Sequence, residues 1–520
     1  MVTSKQCDRI ILVFCLTTCL LALFIGSFHE VGAFGVESDF YEVYAVQAEN
    51  ILAGGFYTYE HNPPGYCLLL AAITFLTGNT FIASKLISAF TTGFFGWISY
   101  LLLKTLFGYK IAFISTVFLL LTLIPSSFLA ATDVVSATVI ILPLYLFLRP
   151  PFLSLNNCFW LGFSAGIAYI VRGNAIFVSV GIAFCLIFIN FERTPWRKRL
   201  IKAAIFISGV FVITFPWFIY SWKVNGSAFA STAYLQVAAH FFHPQDDEFI
   251  TNVQAMRSHF NSFSEVLLYN PPKLIARYLQ DVLFLNIPKL FLPKSLIDNL
   301  SFPVYQLVLA IPLFFVLTGL FFLLKDTRQK KDRLAQKKIA FLLLNLLGYL
   351  LLGLVGFHRR YYLFLFPLVF TLIIYPFVIF PVKTRLYRLV FNWLFIIHLV
   401  FVLSAAAYIE TKLILVSEPK YLLEIAAFLK TSSLPNETII VRKPHLAYLA
   451  NLKAEFPLAT SANEYLDEAK EINASYIVYS DYEATLWKGL ESLSNPKTLP
   501  NKFKLIYTHL PTNTLIYEVK

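Results

Sequence analysis

Apolar runs long enough to cross a bilayer recur from residue 10 to residue 410, beginning with "IILVFCLTTCLLALFIGSF" directly after "MVTSKQCDR". A helix needs about 18 to 25 such residues to span the hydrocarbon core, and only a helix or a closed barrel satisfies its own backbone there. Over 520 residues the mean hydropathy is +0.67, with 58% hydrophobic and 14% charged side chains, which excludes a water-soluble globule. The net charge of +12 sits in short linkers between apolar runs, a membrane pattern that gives no reason to expect a nucleic-acid surface. The chain is predicted to be an all-α polytopic membrane protein with eleven spans, at 10–28, 80–103, 110–126, 134–149, 154–171, 174–191, 203–221, 301–324, 339–357, 361–382 and 389–410. The first run lacks a small-residue cleavage site and reads as an uncleaved span. Segment 64–78 is apolar but short, and reads as a re-entrant or interfacial helix.

Alternating these spans puts the basic linkers on one side: Lys5 and Arg9, Lys104 and Lys110, Arg149, then 192–202, 325–338 and 383–388. The positive-inside rule makes that side the cytoplasm of a plasma (inner) membrane, with the N-terminus on it. The outer side then receives the polar segments 29–63, 222–300 and 411–520. Residues 1–410 form the membrane domain, with outer loops 29–79 and 222–300. From 411 onward β-like runs such as "ASYIVYSDY" alternate with helical patterns, giving a small C-terminal extracytoplasmic α/β domain.

Against this trend, Lys85, Arg172, Arg359 and Arg360 fall on the outer side, with His358 beside the last two. Burying such a cation costs about 2.5 to 3.5 kcal/mol at a span's centre, so they are either snorkelling to head groups or holding an anion. Two acids face the same way. Asp39 heads a helical pattern that continues through Tyr44, and is either a helix N-cap or a carboxylate held near a reacting centre. Asp133 is the only charged residue between Lys110 and Arg149. Outward acids with outward cations could deprotonate a hydroxyl and stabilise a phosphate leaving group.

The stretch "SDFYEVYAVQAENILAGGFY…HNPPGY" resembles the first outer loop of superfamily C (GT-C) glycosyltransferases. More narrowly it is similar to the branch related to protein mannosyltransferases and the lipid A aminoarabinose transferase. The resemblance continues in order through "ASKLISAF", "SSFLAATDVVSATVIILPLYLFL", "GFSAGIAYIVRGNAIF", "FPWFIYSWKVNGS" and "HRRYYLFLFPLVF". It implies transfer of a sugar from a polyprenyl-phosphate donor to a lipid, glycan or protein acceptor on the outer face, with inversion. By that resemblance Asp39 is the general base and Asp133 assists. Lys85 and one of Arg359 or Arg360 bind the donor phosphate, while Arg172 matches an outward Arg with a structural or binding role. Glu37, Tyr44 and His358 are secondary candidates. Some relatives carry adjacent Asp-Glu in this loop, whereas here Glu37 and Asp39 flank Ser38, so either could be the base; Asp39 is favoured.

No cofactor is required by such a reaction. His240, His243 and Asp247 in "HFFHPQDDEF" are weak candidates for a divalent cation, set against a solvated loop. The six cysteines lie apart from any metal-ligand spacing and read as apolar fillers. The alternatives are an O-antigen polymerase or ligase-like enzyme, and a transporter or flippase; the latter predicts midplane polar groups and repeated halves, which the sequence lacks.

Overall fold

The computed structural model describes residues 3–519 apart from 60–61, 150–153, 192–193, 229–231, 243–255, 257–258, 283–301, 331, 355–358 and 380–384. Helix α1 (Ser4–Gly26) opens with a capping box, in which Thr3 and Gln6 each bond the other's backbone N–H. A π-helical turn, Phe40–Tyr44, leads into α2 (Ala45–Leu52) and α3 (Gly65–Thr77). There follow α4 (Thr80–Phe107), α5 (Tyr109–Leu123), α6 (Asp133–Leu148), α7 (Leu155–Val171), α8 (Ile176–Phe188) and α9 (Trp196–Asn225). Later helices cover Phe302–Lys330, Arg333–Gly353, Phe366–Ile379 and Arg385–Val416.

Each of the eleven expected spans falls on a helix, but among the described residues only seven helical stretches have the length and hydropathy of a crossing. The apolar helices Gly65–Thr77, Asp133–Leu148, Leu155–Val171 and Gly173–Phe188 are shorter. The expected spans at 134–149, 154–171 and 174–191 fall on these shorter helices, and the one at 301–324 falls on the 29-residue helix Phe302–Lys330. The ionisable residues explain the shortening: α6 begins at Asp133, and α7 stops before Arg172, where the chain turns through the 3-10 segment Gly173–Ala175. Placing a charge at a helix end keeps it out of the hydrocarbon.

The glycine-rich run in α7 serves close packing. A Cβ on Gly162 would lie 1.9 Å from the Phe206 carbonyl oxygen of α9, and one on Gly209 would lie 2.2 Å from that of Phe159. Two helices that approach backbone to backbone need small residues on both faces.

The C-terminal unit holds a five-stranded sheet in the order β2-β1-β3-β5-β4. Strands β1 (Thr438–Ile440), β2 (Lys453–Glu455) and β3 (Ala474–Tyr479) are parallel. Strands β4 (Phe503–His509) and β5 (Thr514–Val519) complete it in antiparallel fashion. One face of the sheet packs Tyr465, Leu490 and Tyr517; the other packs Ile425, Leu429, Ile439 and Ile516. The second core also contains Val31, fully buried, with Phe34 against it. The first loop after α1 is thus built into the core of the C-terminal unit, and carries Asp39 with it.

Candidate functional site

The loop from 29 to 38 is pinned by carboxylates. Glu37 is fully buried; its oxygens lie 2.8 and 3.0 Å from His29 Nε2 and accept the N–H groups of Ala33 (2.6 Å) and Ala130 (2.5 Å). Glu418, from the segment joining the last long helix to the C-terminal unit, accepts the N–H groups of Glu30, Val31 and Gly32 and lies 3.4 Å from His29 Nδ1. Buried charges persist where donors surround them, and here the donors are the loop's own backbone. Glu37 is wholly occupied in this network.

Asp39 stands apart from it. Its backbone is already helical (φ −60°, ψ −27°) and its side chain makes no capping bond, so the N-cap reading is not realised. The carboxylate is half-exposed, and Arg360 lies 3.6 Å away through its terminal nitrogen. Three residues on, Glu42 shares the same side of the turn. Its side chain opens to solvent, yet protein walls it on most sides; that burial, then Asp39, pushes its carboxyl up to about 7.

Behind Asp39 sits a cationic pair. Arg360 donates to the Val36 carbonyl at 3.0 Å, and its guanidinium carbon lies 5.2 Å from the centre of the Tyr361 ring. Arg172 lies 4.5 Å from the same ring centre and donates to Asp133 Oδ1 at 2.9 Å and Thr132 Oγ at 3.1 Å. Tyr44 also feels the Arg172 charge, so the turn, α6, α7 and the segment after Arg359 converge at one end of the bundle.

The other expected residues are placed differently. Arg359 pairs with Glu410 at 3.2 Å on the last long helix, away from Asp39's partner. Lys85 spends two of its three protons on the carbonyls of Gly26 (2.8 Å) and His29 (2.7 Å), closing the C-terminus of α1, where a cation suits the helix dipole. His240 bonds Asp281 at 2.8 Å; His243, Asp247 and His358 lie outside the described residues. Among the described residues no three His, Cys, Asp or Glu side chains gather as a metal site. The six cysteines are free and buried.

Several participants left no mark in the sequence. Tyr361 was visible only as an aromatic beside two arginines. His29, Glu418 and the C-terminal pair Arg442-Lys443 have ordinary local surroundings, and their part follows from the contact between the first loop and β1. Lys443 donates to the Phe34 carbonyl at 2.7 Å and to Ser38 Oγ at 3.2 Å, next to Asp39.

Residues 61–220 match the family model of dolichyl-phosphate-mannose-protein mannosyltransferase. No curated protein matches the chain by sequence. Among solved structures, the chain is similar to an oligosaccharyltransferase of Archaeoglobus fulgidus in complex with zinc and sulfate. That match has TM-score 0.61 at 13% identity, over 98% of this chain and 73% of that one. The same organism's AglB, solved with an inhibitory peptide and a dolichol-phosphate, matches with TM-score 0.55 at 12% identity over 92% of this chain and 70% of that one. ArnT from Cupriavidus metallidurans in the apo state matches with TM-score 0.56 at 12% identity, over 97% of both chains. The chain is an integral membrane protein with the fold of the superfamily C (GT-C) glycosyltransferases.

Proposed function

We propose that the protein transfers a sugar from a polyprenyl-phosphate donor to a hydroxyl-bearing acceptor, with inversion, at the extracytoplasmic face of the plasma membrane. The observation that carries this is Asp39: an uncapped, half-exposed carboxylate beside Arg360, itself joined through Tyr361 to Arg172 and Asp133. In this reading Asp39 takes the acceptor's proton as its oxygen attacks the anomeric carbon. The bond from that carbon to the phosphate oxygen breaks, and the electron pair leaves on the phosphate.

Arg360 holds the departing phosphate, because a guanidinium offers two parallel donors to phosphate oxygens and stays charged. Asp133 and Thr132 fix Arg172, whose charge lies next to Arg360 across one ring and draws the anion deeper. Glu37, fully buried and held by His29, Ala33 and Ala130, is closed to an acceptor, which favours Asp39 as the base. Lys85 acts by holding the end of α1 and the start of the loop. These steps use no metal; a divalent cation near His240 is no part of them. Similarity to a protein solved with a dolichol-phosphate, and the mannosyltransferase match, support the donor class.

The test is radiolabel transfer in proteoliposomes from polyprenyl-phosphate sugars extracted from membranes. Wild type is expected to transfer, Asp39→Asn to lose transfer while still binding the donor, and Arg360→Ala to lose donor binding. Full transfer by Asp39→Asn would remove the base assignment.

A further inference from the structure

The C-terminal unit brings the cation Lys443 to Ser38, next to Asp39, with Arg442 beside it in the chain. Lys443 reaches across the domain boundary to Phe34 and Ser38 and keeps one proton of its three uncommitted. Among the described residues, the Arg442 guanidinium makes no hydrogen bond or ion pair; its carbon lies 5.7 Å from the Phe456 ring centre. The Glu42 carboxylate likewise has no bonded partner among them. Yet Glu42 feels the charges of Asp39, Arg442 and Lys443, Lys443 feels both acids, and so does Tyr59. Both the Glu42 carboxylate and the Arg442 guanidinium reach solvent, so both are open to a ligand.

The backbone behind the two cations is rigid. The N–H groups of Arg442 and Lys443 both donate to Glu483, at 2.9 and 3.2 Å, and Phe34 stacks on Tyr482 at 4.8 Å. His445 completes the wedge at 4.5 Å from Tyr41. A mere loop-to-loop clasp would use the guanidinium, whereas here Lys443 does the clasping and Arg442 is left over.

We propose that this region is the acceptor subsite, and that Arg442 and Lys443 of the C-terminal unit recognise an anionic group, phosphate or carboxylate, carried on the acceptor headgroup close to its attacking hydroxyl. This rests on the reading of Asp39 as the base. Arg442 gives the anion a bidentate contact, Lys443 adds its spare proton, and Glu42 accepts from a neighbouring hydroxyl, leaving the attacking one to Asp39. The C-terminal unit then selects the acceptor while the bundle holds the donor.

The experiment uses the full chain in nanodiscs with undecaprenyl phosphate added to fill the donor site. Saturation-transfer NMR compares glucose 6-phosphate, glucuronate and glucose, so that a phosphate is told from a carboxylate and both from a neutral sugar. Wild type is expected to bind at least one charged sugar about ten-fold more strongly than glucose, and Arg442→Gln to remove most of that difference. Arg442→Gln is the informative variant because its guanidinium makes no hydrogen bond or ion pair among the described residues, and Lys497→Gln, exposed, serves as the control. Glucose binding as well as the charged sugars, or Arg442→Gln binding like wild type, would overturn the proposal. Transfer to lipid-linked forms of the same sugars is measured in parallel. Arg442-dependent binding without transfer would leave the subsite standing and remove the proposed activity. Transfer indifferent to charge and to Arg442→Gln would do the reverse.

Discussion

Arg172 and Arg360, 188 positions apart in the chain, lie over the same ring, that of Tyr361, with guanidinium carbons 4.5 and 5.2 Å from its centre. The ring's negative face offsets the repulsion between them, a contribution of about 1 to 2 kcal/mol where water is scarce. Tyr361→Leu is therefore expected to weaken donor-phosphate binding about ten-fold, as follows from an energy of that size. Tyr361→Phe, which keeps the ring, should stay close to wild type. Titration with undecaprenyl phosphate measures both.

The adjacent arginines should behave differently. Arg359 pairs with Glu410 in a partly exposed position, so Arg359→Ala is expected to cost about 1 kcal/mol or less in stability and to leave donor binding nearly intact. Arg360→Ala removes Asp39's partner and should abolish donor binding at matched expression. Equal loss from both substitutions would mean that the pair acts as one patch.

Glu418 accepts three successive backbone N–H groups of the loop at 30–32. Glu418→Ala strands those donors, at about 1 to 3 kcal/mol each where water cannot reach. The expected result is a large fall in melting temperature, new protease sensitivity in the first loop, and loss of transfer without any change at Asp39 itself. Unchanged proteolysis would show that the C-terminal unit does not hold the loop.

Gly162 has no room for a methyl group, since the obstacle is the backbone oxygen of Phe206. Gly162→Ala is expected to destabilise by about 2 kcal/mol or more by prying α7 from α9. Gly35→Ala, where nothing lies within 4 Å of the added carbon, is the matched control. Thermal unfolding in detergent distinguishes them.

Burial pushes the Glu483 carboxyl up to about 7, although it accepts two N–H bonds. A carboxyl whose pKa is higher folded than unfolded holds more protons in the folded state, so its stabilisation is complete below about 4.5 and is lost as pH rises through about 7. The stability of wild type relative to Glu483→Gln is thus expected to fall between pH 5 and pH 7.5. Denaturation of the full chain at the two pH values checks the sign.

Much of the architecture was legible because a bilayer leaves the chain few options. Apolar runs become helices, and helix ends collect the charges, as Asp133 and Arg172 do at α6 and α7. The short helix at 65–77 was visible in the same way. The lengths of the spans were less legible, because charges at helix ends shorten helices that composition alone makes look continuous.

Sequence by itself determined that the chain is an α-helical membrane protein with a C-terminal α/β unit, and that Asp39 and Asp133 fall on the same side as Lys85, Arg172, Arg359 and Arg360. These are local facts of hydropathy and charge. Only the tertiary structure decided which acid is occupied and which is open, which of two adjacent arginines meets Asp39, and that Lys85 holds backbone. It also decided that Lys443, more than four hundred residues from Ser38 in the chain, bonds it. Those assignments depend on which donors reach which carboxylates once Val31 and Phe34 are buried in the C-terminal core, a long-range contact with no local signature.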